Sequence, residues 1–224
     1  MKAKFGAIVV DGRGKLGGHV FSKNAAGSYM RTKTTPTNPK TIYQTAVRAL
    51  FAAISVAWSG LTDSARAAWV NAVSEWQQTD IFGDLKKPTG KALFQRLNNQ
   101  AQSAGWPAVT TVPAKADLPD APITSAAFDT TLGTLTVAGV DGSTTTRIMY
   151  FGTSMLTAGT SFVKNKLRNY ASEVGASGSA IDTYAKYVAR FGIPTVGSNV
   201  YIAVKYVLSS GQASPLQIIK ATVS

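Results

Sequence analysis

The chain has 224 residues, of which 45% are hydrophobic, enough for the core of one large domain or two small ones. It has no cysteine and a single histidine, His19, so disulfides, thiolate metal sites, cysteine nucleophiles and two-histidine metal sites within one chain are excluded. Lys and Arg number 23 against 11 Asp and Glu, which gives a net charge of +12. No apolar run approaches the roughly 18 residues that span a bilayer, and the run at residues 7–10 is too short for a secretory signal. We therefore expect neither a membrane partner nor secretion.

The excess positive charge is concentrated near the N-terminus. Residues 1–48 carry nine cations and one anion, whereas residues 49–121 carry six of each. Residues 122–224 carry eight cations and four anions. The pattern indicates a basic arm attached to a nearly neutral body.

Residues 1–37 are predicted to form this arm as an extended β-ribbon. Short β-type runs at residues 7–10, 19–21 and 28–34 are separated by Gly- and Asn-containing turns, whose residues tolerate the positive φ angles of tight reversals. An isolated ribbon is only marginally stable, so we expect the arm to pack on its own body or on a partner.

Three interpretations of the basic arm remain open from the sequence: docking on an acidic protein surface, contact with nucleic-acid phosphates, and a solvated face. Phe21 and Tyr29 lie among the cations, as in proteins that bind single strands by base stacking. The candidate contact residues are Arg13, Lys15, Lys23, Tyr29, Arg31 and Lys33.

Residues 38–104 are predicted to be a helical domain. Thr37, Asn38 and Pro39 suit the start of a first helix, and Gly60, Thr62 and Asp63 suit its end and the cap of a second helix at about residues 64–77. The short connection predicts an antiparallel helical hairpin, which a weaker third helix near Thr89 extends to a three-helix hub. Apolar residues at helical spacing form the predicted core of this hub: Leu50, Ile54, Trp58, Trp69 and Trp76.

Residues 105–122 contain four prolines and are predicted to be a linker to a β-domain at residues 123–224. Strands are expected at residues 123–128, 134–140, 145–152, 199–208 and 216–223, with a hairpin turn at Asp141–Gly142 and a helix inserted at residues 180–191. This pattern favours an immunoglobulin-like or fibronectin type III β-sandwich, and the whole chain a multidomain α+β protein.

Motifs for catalysis or cofactor binding are weak. Residues 12–17 (GRGKLG) match the glycine pattern of dinucleotide-binding turns, but the residues that follow cannot form the required helix, so we interpret the match as a turn in the arm. A triad through His19 lacks a nucleophile-elbow sequence, and the acidic residues are scattered. We expect no enzyme, no cofactor and no metal.

The N-terminal third resembles a group of poorly characterised structural proteins of tailed bacteriophages and prophages, over about residues 10–75. The residues that carry the resemblance are Gly14, Lys15, Gly17–Val20, Asn24, Gly27, Tyr29, Arg31, Pro36, Asn38, Pro39, Thr41, Gln44, Arg48, Trp58, Leu61, Thr62, Arg66 and Trp69. The resemblance implies a virion structural component without a defined activity.

From this resemblance and the basic arm we expect a non-enzymatic capsid-associated, decoration or head–neck protein, made in the host bacterial cytoplasm and located in the virion. Its arm docks on neighbouring subunits. The expected partners are capsid, portal or tail subunits and copies of itself, with packaged DNA as a further partner. The alternatives are a nucleic-acid-binding virion protein that uses the arm, and a tail or host-surface binding module.

Overall fold

The computed structural model describes residues 12–24, 27–80, 82–118, 123–139, 143–157, 159–175 and 181–224. The described residues form a mixed α+β structure with four helices and several antiparallel sheets. The chain divides into two compact units. The first unit combines the described residues up to Arg48 with the separate stretch Gln78–Lys86. The second unit consists of Ala49–Gln77 and Lys87–Ser224.

The first unit contains a three-stranded antiparallel sheet formed by β1 (Gly14–Leu16), β2 (His19–Asn24) and β3 (Gly27–Thr32) in that order. Gly17, with φ of 55°, turns the chain between β1 and β2. Our interpretation of residues 12–17 as a turn was therefore incomplete, since half of the motif is a strand. The expected run at residues 7–10 and the turn residues 25–26 lie outside the described residues.

A short hairpin that we did not predict also belongs to this unit, with β4 (Gln78–Thr79) paired to β5 (Leu85–Lys86). Asp80 organises its turn. Its Oδ1 accepts the backbone N–H groups of Phe82 and Asp84 at 2.7 and 3.1 Å, and its Oδ2 lies 3.1 Å from the Lys86 ammonium.

Helix α1 (Ile42–Ser59) begins later than predicted. Lys40 has a φ of 49°, so the backbone leaves the helical region after Pro39 and the expected start at that proline is wrong. Thr41 takes over the capping role, since its Oγ1 accepts the backbone N–H of Gln44 at 3.3 Å. Asn38 instead accepts a hydrogen bond from the Arg48 guanidinium at 2.8 Å.

The second unit begins with the rest of α1, followed by α2 (Asp63–Ala72) and α3 (Gly90–Ser103). As expected, Thr62 caps α2 through its side-chain oxygen. Thr89, near which the third helix was expected to start, caps α3 in the same way. The chain direction changes by 112° between α1 and α2, so these helices do not form the expected antiparallel hairpin, and α2 packs on α3 instead. Helix α3, which the sequence marked only weakly, supplies much of the helical core.

The β-domain contains a four-stranded antiparallel sheet in the order β11-β10-β8-β9 and a two-stranded sheet β6-β7. The strands are β6 (Ser125–Asp129), β7 (Thr134–Ala138), β8 (Thr146–Gly152), β9 (Arg168–Val174), β10 (Asn199–Leu208) and β11 (Gln217–Thr222). Helix α4 (Tyr184–Phe191) packs on β7 and β9 and covers a core rich in aromatic residues.

Two expectations for this domain were wrong. Strand β9 was not predicted, because its sequence (RNYASEV) lacks apolar alternation. The hairpin expected across Asp141–Gly142, a pair outside the described residues, is not formed, because β7 pairs with β6 whereas β8 pairs with β9 and β10.

Residues 106–118 have no helix or strand, but they are hydrogen-bonded to helix α3 and to the β-domain. Asn98 of α3, 1% exposed, holds the backbone of Val109 through both its amide nitrogen and its oxygen, at 2.9 and 2.8 Å. The Gln212 side chain accepts the N–H of Ala116 and donates to the carbonyl of Ala114, at 2.7 and 2.8 Å. Within the second unit, this proline-containing segment therefore joins the helices to the β-domain through fixed contacts.

Candidate docking face of the N-terminal sheet

The register of the arm sheet places five of the six candidate residues on one face. Residues directly opposite each other in antiparallel strands share a face, and Lys15 of β1, Val20 of β2 and Arg31 of β3 form one such row. The period-two alternation of strands adds Tyr29 within β3, Lys33 just after β3 and Arg13 just before β1. We call Arg13, Lys15, Tyr29, Arg31 and Lys33 the cationic face.

The sixth candidate, Lys23, lies on the opposite face. Its neighbours there include Leu16, His19, Phe21 and Met30, which alternate with the residues of the cationic face. Sequence reasoning grouped Lys23 with the other cations because proximity along the chain does not reveal strand parity. The sheet is consequently two-faced, with five of the candidate residues on one side and a mixture of apolar and polar residues, including Lys23, on the other.

The side chains of the cationic face are accessible. Arg13, Lys15, Arg31 and Lys33 are exposed, and Tyr29 is half-buried. Residues 12–48 contain no Asp or Glu. The ion pairs formed between described residues involve other cations, namely Arg66, Lys86 and Lys186. The positive charge of this face is therefore not neutralised by the described part of the chain.

Among the described residues, strand β3 lies at an edge of the sheet and pairs with β2 along one side only. The backbone N–H of Lys33 donates to the Gly18 carbonyl at 2.8 Å, so Lys33 and Gly18 form a hydrogen-bonded pair between the two strands. In an antiparallel pair, hydrogen-bonded and non-hydrogen-bonded positions alternate, so the backbone groups of Met30 and Thr32 point away from β2. The cationic face thus borders a strand edge that another strand can extend.

The residues predicted for the helical core occupy the interior of the second unit. Ile54, Trp69 and Trp76 are 1%, 0% and 6% exposed, and Leu50 and Trp58 pack against them while partly buried. The Trp69 ring meets Phe94 edge-on at a centroid distance of 5.2 Å, and its Nε1–H donates to the Thr110 carbonyl at 3.2 Å. These tryptophans therefore pack in the core and are not presented as a binding platform.

The glycine motif has no helix after it, because the chain continues from β1 into β2 and β3 and the first helix begins at Ile42. In the described residues, no group of three or more His, Asp or Glu side chains is placed to hold a metal ion. No single described helix is long and apolar enough to cross a bilayer. Only α1 and α2 taken together reach that length and composition, and they are bent at their junction.

The strongest pKa shifts belong to three tyrosines of the β-domain core. Burial raises the pKa values of Tyr150, Tyr170 and Tyr187 well above that of a free phenol. Tyr187 donates its hydroxyl to the Thr153 carbonyl at 2.7 Å, and Tyr170 pairs with the Thr183 hydroxyl at 3.0 Å. All three tyrosines belong to the core of the β-domain or pack against it, so they are packing residues.

The chain has few detectable similarities to known proteins. No protein-family model matches the chain, and no curated protein matches it. Among solved structures, the chain is similar to a Fn3-like protein from Clostridium thermocellum, with 15% identity and a TM-score of 0.28, over 49% of this chain and 94% of that one. At this TM-score the similarity is too distant to carry an argument.

Proposed function

We propose that this chain is a non-enzymatic structural component of a tailed-phage particle, associated with the capsid or the head–neck region, and that it docks on neighbouring subunits through the arm sheet. The observation that carries the proposal is the cationic face beside the extendable edge of β3. The resemblance of residues 10–75 to phage structural proteins supports the setting in the virion.

The chemistry of the face defines the partner that it fits. Four exposed cations without a described acidic neighbour favour an acidic surface, and the complementary charges speed encounter and fix orientation. The outward backbone groups of Met30 and Thr32 can bind an extended segment of the partner as an added strand. An added strand with acidic residues at every second position would place them beside Tyr29, Arg31 and Lys33.

We assign the β-domain to the fibronectin type III-like sandwiches, as a module that projects outward or makes lateral contacts between copies. Its two sheets, of two and four antiparallel strands, pack around one core. Residues Ile181–Thr183 bond to the free side of β7 before α4 begins, so the inserted helix occupies a position where a sandwich commonly has another strand.

The experiment compares two substitutions that each remove one positive charge, one from each face of the sheet. In particles produced by a phage that lacks the native gene, Lys33→Gln is expected to lower the copy number of the protein, whereas Lys23→Gln is expected to preserve it. Thr32→Pro removes an N–H that points away from β2 and is also expected to lower incorporation. Equal incorporation of all three variants with the unmodified protein would reject docking through this face and edge.

A second candidate is nucleic-acid binding, which one observation favours: Tyr29 lies on the same face as the four cations. An aromatic ring among cations suits single strands, on which bases stack while phosphates pair with Lys and Arg. Single-stranded DNA binding that falls steeply with salt and is lost in Tyr29→Ala would support this function. Binding retained after removal of residues 1–37 would count against it.

A further inference from the structure

The two ends of the β-domain differ in what they contact. At one end, the turn after β10 meets the helices: a Cβ added at Gly211 would lie 2.0 Å from the Leu97 carbonyl oxygen of α3. The other end includes two segments, 153–167, in which residue 158 lies outside the described residues, and 192–198. Thr195 joins them, since its backbone N–H and hydroxyl donate to the Met155 sulfur at 3.2 and 3.3 Å. We call these two segments the distal loops.

The distal loops expose large apolar side chains. Phe162 is 84% exposed, Val196 70%, Ile193 65% and Met155 49%. The exposure of Phe162 is imposed by its neighbours, because the adjacent Val163 is only 8% exposed and the Thr160 carbonyl accepts a hydrogen bond from the Tyr201 hydroxyl at 3.1 Å. The loop is thus anchored on both sides of an outward-facing phenylalanine.

The same loops are positively charged. Lys164 and Lys166 are exposed and follow Phe162 directly, and the two segments contain no Asp or Glu. Two carboxylates elsewhere in the β-domain, those of Asp129 and Asp182, each accept two backbone N–H groups. Apolar tips are therefore accompanied by cations that the loops themselves do not neutralise.

Although the sequence led us to expect no membrane partner, that expectation concerned spanning segments, and we propose that the distal loops bind the surface of an anionic lipid bilayer, with Phe162 and the other apolar residues in the interfacial region and Lys164 and Lys166 at the headgroups. The apolar residues stand on two loops, Met155 and Phe162 on one and Ile193 and Val196 on the other, and within each loop they are not adjacent in sequence. A protein partner would need a fitted pocket for each of them, whereas a fluid interface accepts them without one. Long lysine side chains reach the headgroup layer while neighbouring apolar groups are immersed.

The test is co-sedimentation of the full chain with vesicles of phosphatidylcholine alone and of phosphatidylcholine with phosphatidylglycerol. Binding is expected only with the anionic lipid. Phe162→Ser is expected to weaken it by roughly tenfold or more, because burial of a phenylalanine side chain in an apolar phase carries a factor of that order. Lys164→Gln and Lys166→Gln are expected to weaken it by roughly fivefold each.

Matched controls separate this surface from the charge of the rest of the chain. Leu85→Ser alters a side chain of β5 that is 70% exposed, and Lys220→Gln removes an exposed lysine of β11, both outside the distal loops. Both controls are expected to bind vesicles like the unmodified chain. Absence of vesicle binding, or binding that Phe162→Ser leaves unchanged, overturns the proposal. The docking function proposed above is read from particle incorporation and does not depend on this outcome.

Discussion

The junction between helix α3 and the β-domain yields a sharp stability prediction. Gly211 has a φ of 78°, and a Cβ at this position would lie 2.0 Å from the Leu97 carbonyl oxygen and 2.6 Å from the carbonyl carbon. Leu97 is 1% exposed, so its backbone cannot move into solvent. Gly211→Ala therefore combines the strain of a left-handed alanine, about 1–2 kcal/mol, with overpacking, about 1–3 kcal/mol.

The matched control is Gly197→Ala, because Gly197 has a φ of 81° and nothing within 4 Å of an added Cβ. Gly197→Ala therefore has the strain of a left-handed alanine but no steric clash. In urea unfolding followed by fluorescence, Gly211→Ala is expected to lower the free energy of unfolding by about 1–3 kcal/mol more than the control. In a thermal scan this difference corresponds to roughly 2–12 °C for a chain of this size. Equal losses in the two variants would refute the close packing of α3 on the turn after β10.

Three further predictions concern buried polar groups and a helix cap. Gln212→Ala is expected to lower the free energy of unfolding by about 1–3 kcal/mol, because it leaves the backbone groups of two linker residues unpaired, and urea titration measures this loss. Tyr150→Phe is expected to leave stability unchanged or to raise it, because the buried hydroxyl has no hydrogen-bond partner in the described structure; a large loss in a thermal scan would contradict this. Thr62→Ala is expected to cost about 1 kcal/mol through loss of the α2 cap, again measured by urea titration.

The raised pKa values of the core tyrosines also predict how stability depends on pH. The neutral phenol is the form that the folded state favours, so the stabilisation is complete below the pKa of about 10 in the unfolded chain. It is lost as the pH rises above 10 toward the higher pKa values of the folded state. Spectrophotometric titration is expected to show Tyr150, Tyr170 and Tyr187 ionising only as the protein unfolds. Ionisation of all tyrosines near pH 10 in the folded protein would contradict the burial of these rings.

Local signals predicted much of the secondary structure. Thr62 and Thr89 mark helix starts through capping chemistry that acts within one turn. Strand β10 follows from its β-branched and aromatic residues, which place Val200, Ile202 and Val204 on one buried face. The pairing of the strands was harder to predict from the sequence, because it depends on residues far apart in the chain. Asp141–Gly142 has the composition of a hairpin turn, yet the strands on its two sides belong to different sheets.

In the candidate site, too, local features were predictable from the sequence, whereas features that depend on strand pairing were not. Composition identified the cations of the arm, but only the register of β1, β2 and β3 separates Lys23 from the other five residues. The distal loops left no periodic signal, since their apolar residues are single and spaced irregularly. Their common position follows from where β8 ends and β10 begins, which is a property of the folded domain.

The central claim is that the chain is a structural component of a phage particle. Quantitative mass spectrometry of purified particles, with the major shell protein as the reference, tests it most directly. The account predicts a fixed copy number, either a simple fraction of the shell subunits for a capsid-associated protein or roughly six to twelve copies for a ring at the neck. Absence of the protein from particles that are otherwise complete would contradict the account and leave nucleic-acid binding as the better explanation of the arm.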